Sequence, residues 1–404
     1  MTLTLDESSL VEQQKAELLF REARQRRRRR WVSRISIAVA VVLAGLALGI
    51  GLWLVRGPAS HPYQSNSIPL AGTSSQTGAT LVYASDNVRV FNADSGASRS
   101  LPLPAPAGGS SDLSMVKVGS SVVLNRGNRA WLYGPGLDGP PVDLGPSLRV
   151  IPGPADDQIW IWSDPCAEGL GCSYADTEPQ NGVMQLVGAS GDRVGLPIPL
   201  PVDANWFPTG QTVNAGIVLS IAYGPGLSRD EIWNPTSNHV VRALPDGVIA
   251  THGDLIASGD GNACHSNCAI QITNVETGKG QTILLPPGTD ASGLGAYSPD
   301  GSTLAFAVGP GGSRSQWPTT IVVVSVRTGA VRVLSGTEQG IKSYPGDPNI
   351  SWSNTGWLFV DEIGSTHLLA WRSGNASAEF LPSVKLPPLG PPQSQTGSPS
   401  MIAL

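Results

Sequence analysis

The residues best suited to chemistry are few and clustered. Cys166 and Cys172 stand close together in "IWIWSDPCAEGLGCSY", and Cys264 and Cys268 in "IASGDGNACHSNCAIQIT". Thiols at such spacing either oxidise to one another or hold a soft metal. Cys264, His265 and Cys268 bring thiolate and imidazole together, but only one histidine is near and the spacing is not that of a zinc site. In an oxidising compartment the simplest of the three connectivities is pairing within each stretch, Cys166 with Cys172 and Cys264 with Cys268. Such bridges would stiffen two short loops.

Motifs for other chemistry are missing. There is no G-x-S-x-G elbow, H-E-x-x-H helix, phosphate-binding loop or dinucleotide fingerprint. The five histidines, His61, His239, His252, His265 and His367, are scattered. His252 and Asp254 in "ATHGDLIAS" could sit near the end of an inner strand, although a turn hydrogen bond explains the spacing equally. Asp156-Asp157 and Asp260-Gly261-Asn262 could offer oxygens to calcium, but lack the dense ligand spacing of a calcium loop. No cofactor and no metal is therefore expected, and no catalytic residue is assigned. Nine tryptophans lie beyond residue 60. Most suit a core, and Trp160 and Trp162 share one strand face. Trp206 in "DANWFPTG" and Trp317 in "SRSQWPTT" sit in loop-like contexts and are candidate exposed contacts.

The elements that position these residues repeat. A polar turn between apolar strands recurs as Asp94-Ser95-Gly96, Leu137-Asp138-Gly139, Ser190-Gly191-Asp192, Asn234-Pro235-Thr236, Glu276-Thr277-Gly278, Arg327-Thr328-Gly329 and Arg372-Ser373-Gly374, at intervals of about 42 to 53 residues. Seven units fit between about residue 80 and 385. Alternating strands would bury one face against the neighbouring sheet. The clearest units contain "YSPDGSTLAFAV" and "WSNTGWLFVDE", aligning Tyr297-Ser298-Pro299-Asp300-Gly301 with Trp352-Ser353-Asn354-Thr355-Gly356.

On these stretches the chain resembles TolB-like and WD-repeat-like β-propellers, closely over residues 290–382 and by pattern over 80–289. The resemblance implies an all-β fold of four-stranded blades around a channel, seven by the repeat count, with six or eight also compatible. It implies little about activity. The first unit lacks a convincing innermost strand before "TLVYASDN". In this family one chain end commonly completes a blade shared with the other, and residues 64–72 or the segment near Phe380–Leu386 could do so.

The remaining signals set the compartment. Ile35 to Val55 is an uncharged, proline-free apolar run of 21 residues, long enough as a helix to span a bilayer. Before it lie Arg26, Arg27, Arg28, Arg29, Arg30 and Arg34, and after it only Arg56 is close, so the N-terminus is expected in the cytoplasm. Trp31 and Trp53 flank the run as interfacial aromatics do. Residues 1–34 carry nine basic and five acidic side chains, net +4, leaving −9 of the total −5 for residues 35–404. An acidic outer part argues against a nucleic-acid partner. The expected organisation is a cytoplasmic Arg-rich helical arm (1–34) meeting anionic headgroups, a transmembrane helix (35–55), a flexible stalk (56–79), the propeller (80–385) and a Pro/Ser-rich disordered tail (386–404). The chain would be a single-pass cell-membrane protein displaying its propeller outside. Its expected role is to bind an extracytoplasmic protein, peptide or glycan without catalysis. A hydrolase, lyase or cofactor-dependent dehydrogenase working at the channel is the alternative.

Overall fold

Runs such as Thr320–Ser325 (TIVVVS) and Trp357–Asp361 (WLFVD) favour extended backbone, because branched and aromatic side chains fit a pleated surface. The computed structural model describes residues 66–71, 76–84, 87–104, 113–163, 182–200, 206–224, 227–244, 247–259, 268–310, 320–335, 349–361, 368–381, 384 and 400–404. The chain divides into Met1–Ala59 and Ser60–Leu404, and every described residue lies in the second unit.

Two short strands come first, β1 (Asn66–Ile68) and β2 (Leu70–Ala71). Blade 1 takes β3 (Thr80–Ala84), β4 (Val88–Asn92) and β5 (Ser98–Ser100). Blade 2 is β6 (Leu113–Val118), β7 (Ser121–Arg126), β8 (Arg129–Tyr133) and β9 (Val142–Pro146). Blade 3 is β10 (Arg149–Pro152), β11 (Gln158–Ser163), β12 (Val183–Gly188) and β13 (Arg193–Pro199). Blade 4 is β14 (Trp206–Val213), β15 (Gly216–Gly224), β16 (Leu227–Asn234) and β17 (His239–Ala243). Blade 5 is β18 (Val248–His252), β19 (Leu255–Gly259), β20 (Ala269–Asn274) and β21 (Gly280–Leu284). Blade 6 is β22 (Thr289–Tyr297), β23 (Thr303–Pro310), β24 (Thr320–Ser325) and β25 (Val331–Leu334). Blade 7 is β26 (Asn349–Trp352), β27 (Trp357–Asp361), β28 (Leu368–Arg372) and β29 (Ala378–Leu381), and β30 (Ser400–Ala403) ends the chain.

Within each blade successive strands pair antiparallel, and in blades 2 to 7 the first strand of the set is innermost. The innermost strands β30, β6, β10, β14, β18, β22 and β26 neighbour one another in that order and close a ring. The molecule is an all-β, seven-bladed propeller, and the seven polar turns seen in the sequence are the turns between the third and fourth strands of the seven blades.

Ring closure differs from both segments anticipated. The missing innermost strand of blade 1 is β30, which pairs antiparallel with β3 from Leu81↔Ala403 to Ala84↔Ser400. So the final residues of the stretch read as a disordered tail form a buried strand, with Met401, Ile402 and Ala403 all under 9% exposed. Its apolar run, Met401-Ile402-Ala403, is too short to register in a Pro/Ser-rich context. The stalk reading is also corrected over residues 66–71. Here β1 joins the outer edge of blade 6 beside β25, and β2 that of blade 7 beside β29, both parallel.

Turn chemistry explains the repeat. The side-chain oxygens of Asn92, Asn234 and Asn274 accept main-chain N–H groups from Ser95, Ser237 and Thr277, three residues on. Gly278 then takes a left-handed φ of 67°, which glycine adopts without a steric penalty. The turns after the innermost strands use buried serines. Ser298 Oγ accepts from Thr303 N at 3.0 Å, and Ser353 Oγ from Trp357 N at 3.1 Å, which supports the alignment of these two stretches.

The core lies between blades. Seven clusters of buried side chains fill the seven boundaries. The one-face picture of burial is too simple. In β27, Trp357 and Phe359 pack toward blade 1 while Leu358 and Val360 pack toward blade 6, so both faces are buried. Of the tryptophans, Trp131, Trp160, Trp233, Trp352, Trp357 and Trp371 are buried here.

The expected N-terminal helix and membrane span lie outside the described residues. Among the described residues there is no α-helix, and no helix long and apolar enough to cross a membrane.

Candidate functional site

The innermost strands run toward one face, and in blades 2 to 7 each turns there into the second strand of its blade. A cavity of about 490 Å³ opens at this mouth of the central channel. Its walls come from five blades. Lys117 and Gly119 belong to blade 2, Asp156 and Gln158 to blade 3, His252 to blade 5, Tyr297 to blade 6, and Ser351, Trp352 and Asn354 to blade 7. No two of these groups of residues are near each other in sequence.

Lys117 is the electrostatic centre. Its Nζ donates to the Ala403 carbonyl at 2.8 Å. Burial pulls its ammonium down to about 8, and the negative charge of Asp156 pushes it back up. Among the described residues Lys117 makes no ion pair; the pairs present are Arg99–Asp138, Arg129–Asp143 and Arg229–Glu231.

The opposite wall is aromatic. Tyr297 is 7% exposed, and its buried hydroxyl has no hydrogen-bond partner among the described residues. Burial raises its pKa well above the usual phenol value. The rings of His252 and Tyr297 lie 6.1 Å apart at 38°. Trp352 is fixed by its Nε1 donating to Ala296 O at 3.0 Å and by an edge contact with Trp371 at 6.2 Å. Ser351 Oγ accepts from Ala403 N at 2.9 Å, which leaves its own hydroxyl proton available.

This arrangement can hold a polar ligand with fixed donors against an aromatic wall. No hydrogen bond links Lys117, Asp156, His252 and Tyr297 to one another, so no nucleophile–base pair is assembled among them. Among the described residues no group of three or more His, Cys, Asp or Glu could hold a metal ion.

The residues singled out in the sequence are placed unevenly. His252 ends the innermost strand β18 and lines the cavity, as its position suggested. Asp254 lies in the adjoining turn, where its carbonyl accepts from Val275 N at 2.7 Å. Asp156 reaches the cavity wall. Cys268, directly before β20, is 3% exposed and is not a free thiol. Cys166, Cys172 and Cys264 lie outside the described residues, as do Asp260, Asn262, Trp317, Trp31, Trp53, Arg26 to Arg30 and Arg34. Trp206 opens β14, with its side chain outside the described set. Lys117 was not found by sequence reasoning. Its one signal was position: "KVGSS" ends an innermost strand before its turn, as "YSPDG" does.

No protein-family model matches this chain, and no curated protein does either. Among solved structures, a TolB-type protein from Agrobacterium tumefaciens is 11% identical over 63% of this chain and 87% of its own, with a TM-score of 0.38. The WD40 domain of Pan2 from Neurospora crassa is 10% identical over 73% and 86%, with a TM-score of 0.42. An acylaminoacyl peptidase from Pyrococcus horikoshii is 11% identical over 80% of this chain, at a TM-score of 0.48; the match spans about half (52%) of the peptidase. The likeness is one of fold. The propeller assignment rests on the sheet topology itself, and no activity passes from these proteins to this chain.

Proposed function

We propose that this chain is a membrane-displayed binding propeller that takes its ligand, a protein, peptide or envelope glycan, at the channel mouth. The observation that carries this reading is the cavity of about 490 Å³, where Lys117, Asp156, Ser351 and Trp352 converge from blades distant in sequence. A concave site with a few convergent polar groups is the usual form of a ligand pocket. Display outside the cell rests on the apolar run 35–55 and the arginines before it. The bridges Cys166–Cys172 and Cys264–Cys268 belong to the same reading.

A propeller enzyme at the same mouth is the second reading. It is favoured by the convergence of Lys117, Asp156 and His252 in one cavity. Their lack of mutual hydrogen bonds weighs for binding.

Pull-down of crosslinked full-length chain from its own membrane tests the proposal, comparing wild type with Asn354→Trp, which plugs the cavity rim. The expected result is a partner recovered with wild type and lost with the variant. Equal recovery from both would move the binding surface elsewhere.

A further inference from the structure

Two side chains at the cavity keep hydrogen-bond donors unspent. Lys117 Nζ carries three N–H bonds and uses one, on Ala403 O. Ser351 Oγ accepts from Ala403 N and keeps its proton to donate. A buried polar group without a partner is costly, and its partner is commonly a ligand or water. Lys117 makes no direct ion pair among the described residues; Asp156 lines the same cavity and acts on it through its charge alone.

These features select the ligand's charge. A largely buried ammonium with two unspent N–H bonds and no direct ion pair favours an anionic acceptor. Asp156 on the same wall repels any anion, and a dianionic phosphate about twice as strongly as a monoanion, which favours the monoanion. A carboxylate has one charge and two oxygens, enough acceptors for Lys117 and the Ser351 hydroxyl.

We infer that the channel-mouth cavity binds a carboxylate group of the ligand, with Lys117 as its cationic partner and Ser351 as an accessory donor. This rests on the binding reading of the same site and adds the chemical class of what enters it. The carboxylate can come from a peptide C-terminus or from an acidic sugar, and the chemistry at Lys117 is the same for both.

Competitive lysine labelling tests this on the full-length chain in detergent. Acetic anhydride modifies accessible amines, and mass mapping reads each site separately. The chain has five lysines, and Lys279, exposed at the β20–β21 turn and outside the cavity lining, is the internal control. The probes are N-acetylglycylglycine, its C-terminal amide and glucuronate. At ten times its half-saturating concentration, a carboxylate probe should slow acetylation of Lys117 about tenfold by mass action and leave Lys279 unchanged. The amide should not protect. Protection by the dipeptide acid assigns the source to a peptide terminus, and protection by glucuronate to a sugar acid. Equal protection by acid and amide would overturn the carboxylate while leaving a binding cavity. No protection by any probe, in a chain whose cavity still crosslinks its partner, would overturn the carboxylate and spare the binding site.

Discussion

Lys117 Nζ donates to the main-chain oxygen of Ala403 at 2.8 Å, joining the innermost strand of blade 2 to the last strand of the chain. The N–H of the same Ala403 donates to Ser351 Oγ of blade 7 at 2.9 Å. The chain's end is thus held from both sides, and the two side chains that hold it line the candidate site. Ring closure and the shape of the cavity depend on the same few contacts.

Deleting Ser400–Leu404 should therefore do more than trim a tail. It removes the buried side chains of Met401 and Ile402 and leaves an unpaired edge on β3. The loss should reach about 4 kcal/mol or more, from truncation of two large apolar residues. Urea unfolding followed by tryptophan fluorescence measures it. An unchanged midpoint would show that the ring does not need this strand.

Stability should also depend on pH through Asp361, 2% exposed at the boundary of blades 7 and 1. Burial pushes its carboxyl up to about 6, against hydrogen bonds from Asn349 and Tyr83 that favour the charged form. The folded protein holds this proton more tightly than the unfolded chain does. The contribution is full below the unfolded value of 3.8 and is lost as pH rises through about 6. The gap corresponds to roughly 3 kcal/mol. Asp361→Asn should remove this slope and raise stability near neutrality, read from urea midpoints on either side of the window.

Gly301 and Gly356 form a matched pair of turn positions, with φ of 68° and 79°. A Cβ at Gly301 would come within 2.6 Å of His252 Cδ2, whereas one at Gly356 meets nothing within 4 Å. Gly356→Ala should cost about 1–2 kcal/mol for the left-handed backbone alone. Gly301→Ala should cost more and displace His252 from the cavity wall. Paired thermal melts test the difference, and equal losses would mean that His252 yields freely.

Topology is tested independently of the site. Protease added to intact cells or spheroplasts should digest the chain beyond residue 60, and non-reducing mass mapping should join Cys166 to Cys172 and Cys264 to Cys268. Protection from protease, or free thiols in native material, would contradict display outside the cell.

The blade count was legible because each repeat carries its own local chemistry. Asn274 and Gly278 hold their turn with contacts inside five residues, so the pattern survives in a single sequence. The innermost strand of blade 1 was not legible, because Ser400–Ala403 gains its meaning only from pairing with Leu81 to Ala84 at the other end of the chain. The site was legible only in part. His252 could be placed at an inner strand end, but Lys117 acquires a role only when blades 1, 2, 3 and 7 converge on it. Burial on both faces of strands such as β27 also blurred the alternation by which a strand shows its inner side.

The most direct measurement of the central claim is site-specific photocrosslinking in the native membrane. A benzophenone amino acid at position 157, exposed beside the cavity-wall residue Asp156 and outside the cavity itself, is compared with one at position 241, exposed on the outer strand of blade 4. Binding at the channel mouth predicts a discrete adduct from 157, and an adduct from 241 is not expected. An adduct from 241 alone would place recognition on the propeller's rim and contradict the account.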